Sequence, residues 1–166
     1  MCPFFGLDPP PLRAYYAYGE KVLAVADAKV VAARDGFPDN IPKTGAGFET
    51  SVPITPATIG GNEVILDLGH GQFAAYFHLQ PGSVKLKPGD RVRRGQLIGR
   101  IGNSGDARWP HLHFQLTDRP DVMASEGLPQ VFESYRMKTA SGQYSQRRGE
   151  YPMGEVVVDF GKDEGR

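Results

Sequence analysis

The chain has 166 residues with 19 Lys plus Arg against 19 Asp plus Glu, so its formal charge is zero. A neutral chain offers no electrostatic case for nucleic acid or an anionic membrane as principal partner, and no run of 18 apolar residues is present to span a bilayer. The single cysteine, Cys2, excludes an internal disulfide. Its 21 glycines and 14 prolines far exceed the background of roughly 12% for the pair, which predicts turn-rich β structure.

Residues 1–14 hold Cys2-Pro3-Phe4-Phe5-Gly6-Leu7-Asp8 and then Pro9 to Pro11, which force an extended path. The first eight residues lack the basic start and apolar stretch of a signal peptide. Tyr15, Tyr16 and Tyr18 supply amphipathic surface suited to a groove. Val22 to Ala33 reads as two short strands broken near Asp27, and Asp35-Gly36 closes the pair as a turn. From Phe37 to Gly61, four prolines and four glycines deny the chain a long regular element, and we read this loop as a wall or lid over a site.

Asn62 to Leu68, the turn Gly69-His70-Gly71, and Phe73 to Leu79 make the clearest hairpin. His70 reads as a polar turn residue, whereas His78 lies inside an otherwise apolar strand. Lys87 to Gly102 follows as turn, strand, turn, strand. Its Gly89-Asp90-Arg91-Val92 echoes Gly19-Glu20-Lys21-Val22, so the chain reads as two copies of one β unit. Arg91, Arg93, Arg94 and Arg100 alternate with apolar residues, as on a solvated strand face.

The chemistry centres on Pro110-His111-Leu112-His113-Phe114, reached through the turn Gly102-Asn103-Ser104-Gly105. On one strand, His111 and His113 would share a face about 6.6 Å apart, with Leu112 and Phe114 turned to a core. A short strand is expected at Val131 to Tyr135, a polar and mobile stretch at 139–153, and a last edge strand at Val156 to Phe160. No helical periodicity of ten residues appears, so the fold class is all-β. We divide the chain into an N-terminal segment 1–14, a β domain 15–136 and a polar extension 137–166.

Three imidazoles on neighbouring strands can hold a zinc ion or act around one as base and charge stabiliser. Asn62 to Gly105 together with Pro-His-Leu-His-Phe resembles the lysostaphin-type (LytM-like) zinc metallopeptidases, which cut peptide cross-bridges of bacterial peptidoglycan on a duplicated hybrid-motif β fold. The likeness runs from about Tyr15 to Tyr135. It implies that His113 is a zinc ligand and that His78 and His111 activate the water and stabilise the oxyanion. It also implies peptidoglycan peptides as partner and a cell-envelope or secreted location.

The family's other two ligands come from a His-x-x-x-Asp motif before the first Gly-x-x-Val unit. Here Phe4-Phe5-Gly6-Leu7-Asp8 keeps the aspartate, making Asp8 a candidate ligand, but Phe4 stands where histidine belongs. Cys2 is a softer substitute. Arg108-Trp109 replaces the small residues the family often has before Pro-His, which narrows the cleft. Two expectations follow: a chain that begins late, after its signal sequence and histidine ligand, or a degenerate homologue that binds cell-wall peptides or regulates another hydrolase without cutting. Either way this polypeptide is expected to be weak or inactive as a hydrolase. A biotinyl-type carrier domain, suggested by Lys87 to Gly95, lacks the exposed lysine such a domain needs.

Overall fold

A computed structural model describes residues 10–42, 48–154 and 156–161. The chain divides into two compact units, Met1–Leu128 and Pro129–Arg166. Strands and short 3-10 turns are the only regular elements described, as the glycine and proline content dictates.

In the first unit, β1 (Lys21–Leu23) and β2 (Ala28–Arg34) are followed by the hairpin of β3 (Asn62–Gly69) and β4 (Gln72–Leu79), then β5 (Arg91–Val92), β6 (Leu97–Arg100) and β7 (His113–Thr117). Five of them form an antiparallel sheet ordered β5-β2-β3-β4-β7, while β1 pairs with β6. The break near Asp27 and the Gly-His-Gly turn fall where the sequence places them. The two Gly-acid-base-Val copies are equivalent in three dimensions. Gly19 and Gly89 both take positive φ, Val22 and Val92 are both buried, and each glycine N–H donates to a carbonyl of the opposite copy, Ile101 and Val30 respectively, at 2.8 Å.

The central strands β3 and β4 are covered on both faces and therefore read as continuous apolar runs. Val64, Leu66, Ala74 and Tyr76 face the main core with Val22, Val30, Val92 and Ile98, and Leu112, Phe114 and Leu116 pack against it. The buried Tyr76 hydroxyl is satisfied by the Val25 N–H at 3.0 Å. Ile65, Ala75 and Phe77 face the other way, against Val31, Phe73 and Val122. That second face carries the histidine end of the sheet.

Two expectations are corrected in β7 and beyond. β7 begins at His113, so His111 and Leu112 precede the strand. Pro110 has no N–H to give a ladder, and the His111 ring is held by the carbonyl of Trp109 instead of flanking His113. In the second unit, the stretch 139–153 contains a regular strand. β8 (Phe132–Lys138), β9 (Tyr144–Glu150) and β10 (Val158–Asp159) form a sheet ordered β10-β8-β9. Gly142, at φ 82°, makes the β8–β9 turn, closed by the Thr139 N–H on the Gln143 carbonyl at 2.7 Å. Polarity misleads here because both faces of an outer strand can stay wet. Phe132 is the hub of this sheet's aromatic cluster, stacked on Tyr151 and packed against Phe160 and Tyr135.

Candidate active site

The site begins with a defect in the β3–β4 ladder. Asn62 pairs with Leu79 and Val64 with Tyr76, so Phe77 and His78 together oppose Glu63 as a bulge. His78 adopts φ 61°, a conformation a non-glycine residue rarely takes and which costs on the order of 1–3 kcal/mol. The surroundings hold it there. Its N–H donates to the Gly60 carbonyl at 2.8 Å, and its carbonyl accepts from Gly102 at 2.9 Å.

The bulge turns the ring into a buried position, where its Nδ1 lies 2.9 Å from the Ser104 carbonyl. A carbonyl can only accept, so Nδ1 carries the proton and Nε2 is the basic nitrogen. Burial above all, then the neighbouring His111, pushes the His78 imidazole down to about 4, so the ring is neutral near pH 7. His111 is arranged alike, its Nδ1 donating to the Trp109 carbonyl at 2.8 Å. The His78 and His111 ring centroids lie 4.8 Å apart, and His113 stands 5.7 Å from His78. His113 is the neighbour of Phe77 across the ladder and packs edge-on against its ring. The His113 Nε2 donates to Gln115 Oε1 at 2.7 Å, leaving Nδ1 without a hydrogen-bond partner among the described residues. The sequence thus named three histidines that the fold brings together. His70 sits in the exposed hairpin turn.

A scaffold that the sequence did not announce fixes this geometry. Asn40 is buried, and its side-chain amide donates to the carbonyls of Gly105 at 2.7 Å and Ala107 at 2.9 Å. Its Oδ1 accepts from the Ser51 N–H, its backbone N–H donates to the Asn103 carbonyl, and the Asn103 amide returns the bond to the Asn40 carbonyl. Asp39 accepts from the Asn103 N–H at 2.6 Å and from the Tyr18 hydroxyl at 2.7 Å. Burial raises the Asp39 carboxyl, while burial and then Asp39 push the Tyr18 phenol up to about 12. Ser104 bridges Asn62 and Leu79 through its hydroxyl. The carbonyl that orients His78 is therefore anchored from both sides.

Glycine makes the close approach possible. A Cβ on Gly105, at φ 70°, would meet the Ile59 carbonyl at 2.5 Å, and one on Gly61 would meet the Ser104 carbonyl carbon at 2.5 Å. Part of the loop between β2 and β3 is pinned by Arg34, which pairs with Glu63 at 3.0 Å, donates to the Ala57 carbonyl and lies over the Phe37 ring.

A metal fits this set only in part. Among the described residues His113 keeps one ring nitrogen unbonded, but no three His, Cys, Asp or Glu are grouped to hold an ion. Asp8, Phe4 and Cys2 lie outside the described residues.

The family model for peptidase family M23 matches residues 13–124, more than half of the chain, and the chain belongs to that family. Among curated relatives, it is 41% identical over 59 residues to the peptidoglycan DD-endopeptidase ShyA of Vibrio cholerae, covering 36% of this chain and 13% of that protein. It is 49% identical over 59 residues to the glycyl-glycine endopeptidase ALE-1 of Staphylococcus capitis, covering 34% of this chain and 15% of that protein. It therefore spans less than a fifth of the length of these relatives. Among solved structures, the catalytic domain of lysostaphin from Staphylococcus simulans matches with a TM-score of 0.46 at 27% identity, covering 66% of this chain and 68% of that one.

Proposed function

We propose that this chain is a peptidoglycan-directed M23 domain that handles peptide cross-links with its imidazoles and, as its sequence stands, hydrolyses them weakly or not at all. The observation that carries this reading is the convergence of His78 and His111, each with Nδ1 committed to a backbone carbonyl and Nε2 left basic. In peptide hydrolysis, such an imidazole takes a proton from the attacking water at Nε2 and returns it to the leaving amine. Its neighbour, once protonated, donates to the oxygen that gains charge. His78, neutral and buried, suits the first role, and His111, less enclosed, suits the second. His113 and Asp8 are the proposed zinc ligands, and the metal would supply the Lewis acid of the family's chemistry. The described residues alone do not complete its site.

A second reading, a non-catalytic module that binds cell-wall peptides or regulates a hydrolase, is favoured by Phe4. A phenyl ring stands where the family has a ligand, and it cannot bind zinc. A cell-envelope location follows from either reading by analogy with the relatives' substrates. Zinc content of the purified chain by elemental analysis separates the two, with His113→Ala as control. Near one zinc per chain, lost in the variant, together with release of peptide from purified peptidoglycan, supports the enzyme. No zinc, with peptidoglycan retained in a sedimentation assay, supports the binding module. No zinc and no retention overturns both.

A further inference from the structure

The residues between the buried scaffold and the imidazoles form a clamped loop with an exposed tip. Asn40 holds the Gly105 and Ala107 carbonyls, the Asp106 N–H donates to the Ile59 carbonyl at 2.9 Å, and Ala107 is fully buried. On the far side Pro110 is buried and the Trp109 carbonyl is fixed to the His111 ring. Between the buried Ala107 and the buried Pro110, Arg108 and Trp109 stand out from this base, with Asp106 exposed on the near side. Trp109 is 52% exposed, its indole N–H has no acceptor and its ring no aromatic neighbour among the described residues. The Arg108 guanidinium lies over the Phe48 ring at 5.8 Å and pairs with no carboxylate among the described residues.

A rigid backbone presenting one aligned guanidinium and one free indole is a preorganised recognition element. Ordering costs have already been met by the fold, and Arg and Trp are the residue types that most often carry binding energy. The guanidinium calls for a planar oxyanion, which a carboxylate supplies. The Trp109 carbonyl holds the His111 ring at 2.8 Å, which ties the backbone of this tip to the imidazoles.

We propose that Arg108 and Trp109 form a specificity shelf that reads a carboxylate-bearing peptide, Arg108 taking the carboxylate and the Trp109 indole covering the adjoining backbone. The proposal deepens the peptide-directed reading above and rests on it.

Trp109 is the chain's single tryptophan, so emission excited at the red edge of indole absorption, where the seven tyrosines do not absorb, reports on this shelf alone. N-acetyl-triglycine and its C-terminal amide are titrated separately into the full chain, while the histidine ring signals are followed by NMR. The acid is expected to change Trp109 emission saturably and to bind about three-fold or more tighter than the amide, the scale of an exposed charge pair. Arg108→Gln should abolish that preference with no change in thermal midpoint. Equal binding of acid and amide overturns the carboxylate reading. Movement of His111 signals without any change in emission overturns the shelf but leaves the peptide-directed site standing. No response from either overturns both.

Discussion

Two histidines in one hairpin adopt the same left-handed backbone, φ 54° at His70 and 61° at His78. His70 lies in a two-glycine turn, exposed, and a Cβ on Gly69 or Gly71 would meet nothing within 4 Å. His78 lies at a bulge, buried, with its backbone and ring bonded to Gly60, Gly102 and Ser104. Conformation alone therefore separates nothing. What distinguishes the bulge end of the sheet is that its surroundings over-determine the unusual backbone, whereas the tip merely tolerates it.

The sharpest way to break this contrast is to crowd the bulge end. Gly105→Ala is expected to cost about 3 kcal/mol or more in urea unfolding, because a positive φ and the Ile59 carbonyl both oppose the methyl. Gly69→Ala, strained but uncrowded, should cost only about 1 kcal/mol. Equal costs at the two ends would remove the distinction.

Asn40→Ala comes next. It leaves the Gly105 and Ala107 carbonyls and the Ser51 N–H without their partner, an expected loss of about 2 to 3 kcal/mol. The His78 ring should also lose its single tautomer, which nitrogen-detected NMR reads directly. Loss of stability with the Nδ1–H tautomer intact would show that Asn40 supports the loop but does not orient the histidine.

Nothing in the sequence marks Asn40 apart from other loop asparagines, since its role depends on carbonyls 65 and 67 positions away. The strands were legible because alternation and glycine turns are local signals, and the paired Gly-x-x-Val units exposed the duplication. The three histidines were legible as residue types. The left-handed backbone of His78 was not, because a glycine would have announced it and a histidine does not. The start of β7 was misplaced for a related reason: His111 bonds to its own chain two residues back, which no spacing rule reveals.

A pH scan tests the latch formed where the Tyr18 hydroxyl donates to Asp39, which in turn accepts from the Asn103 N–H behind the bulge end. The Tyr18 phenol is pushed up to about 12 from 10 in the folded chain. The unfolded chain gives up that proton first, so the stabilisation is complete below pH 10 and is lost as pH rises through 12. Tyr18→Phe should flatten that alkaline decline in part, the buried Tyr76, also pushed up to about 12, keeping the rest. An unchanged profile would show that the latch opens without consequence. The smallest effect is expected at the tip, where His70→Gly relieves the backbone and shifts stability by no more than about 1 kcal/mol in either direction. Thermal unfolding resolves it, and a larger loss would mean the turn histidine has a partner after all.

β7 carries His113 yet is the last strand of its sheet, bonded to β4 on one side only. Its other side is met near its end by the returning chain, where Leu128 donates to the Leu116 carbonyl, Glu126 bonds Asp118, and Thr117 bridges Gly127. Unpaired strand edges invite self-association. Chains cut before Glu126 would uncover that row of backbone groups and are expected to oligomerise edge to edge, whereas those extending past Leu128 keep the seam closed. The practical boundary of a well-behaved minimal domain is therefore set by a few backbone bonds along the open edge of the strand that begins at His113.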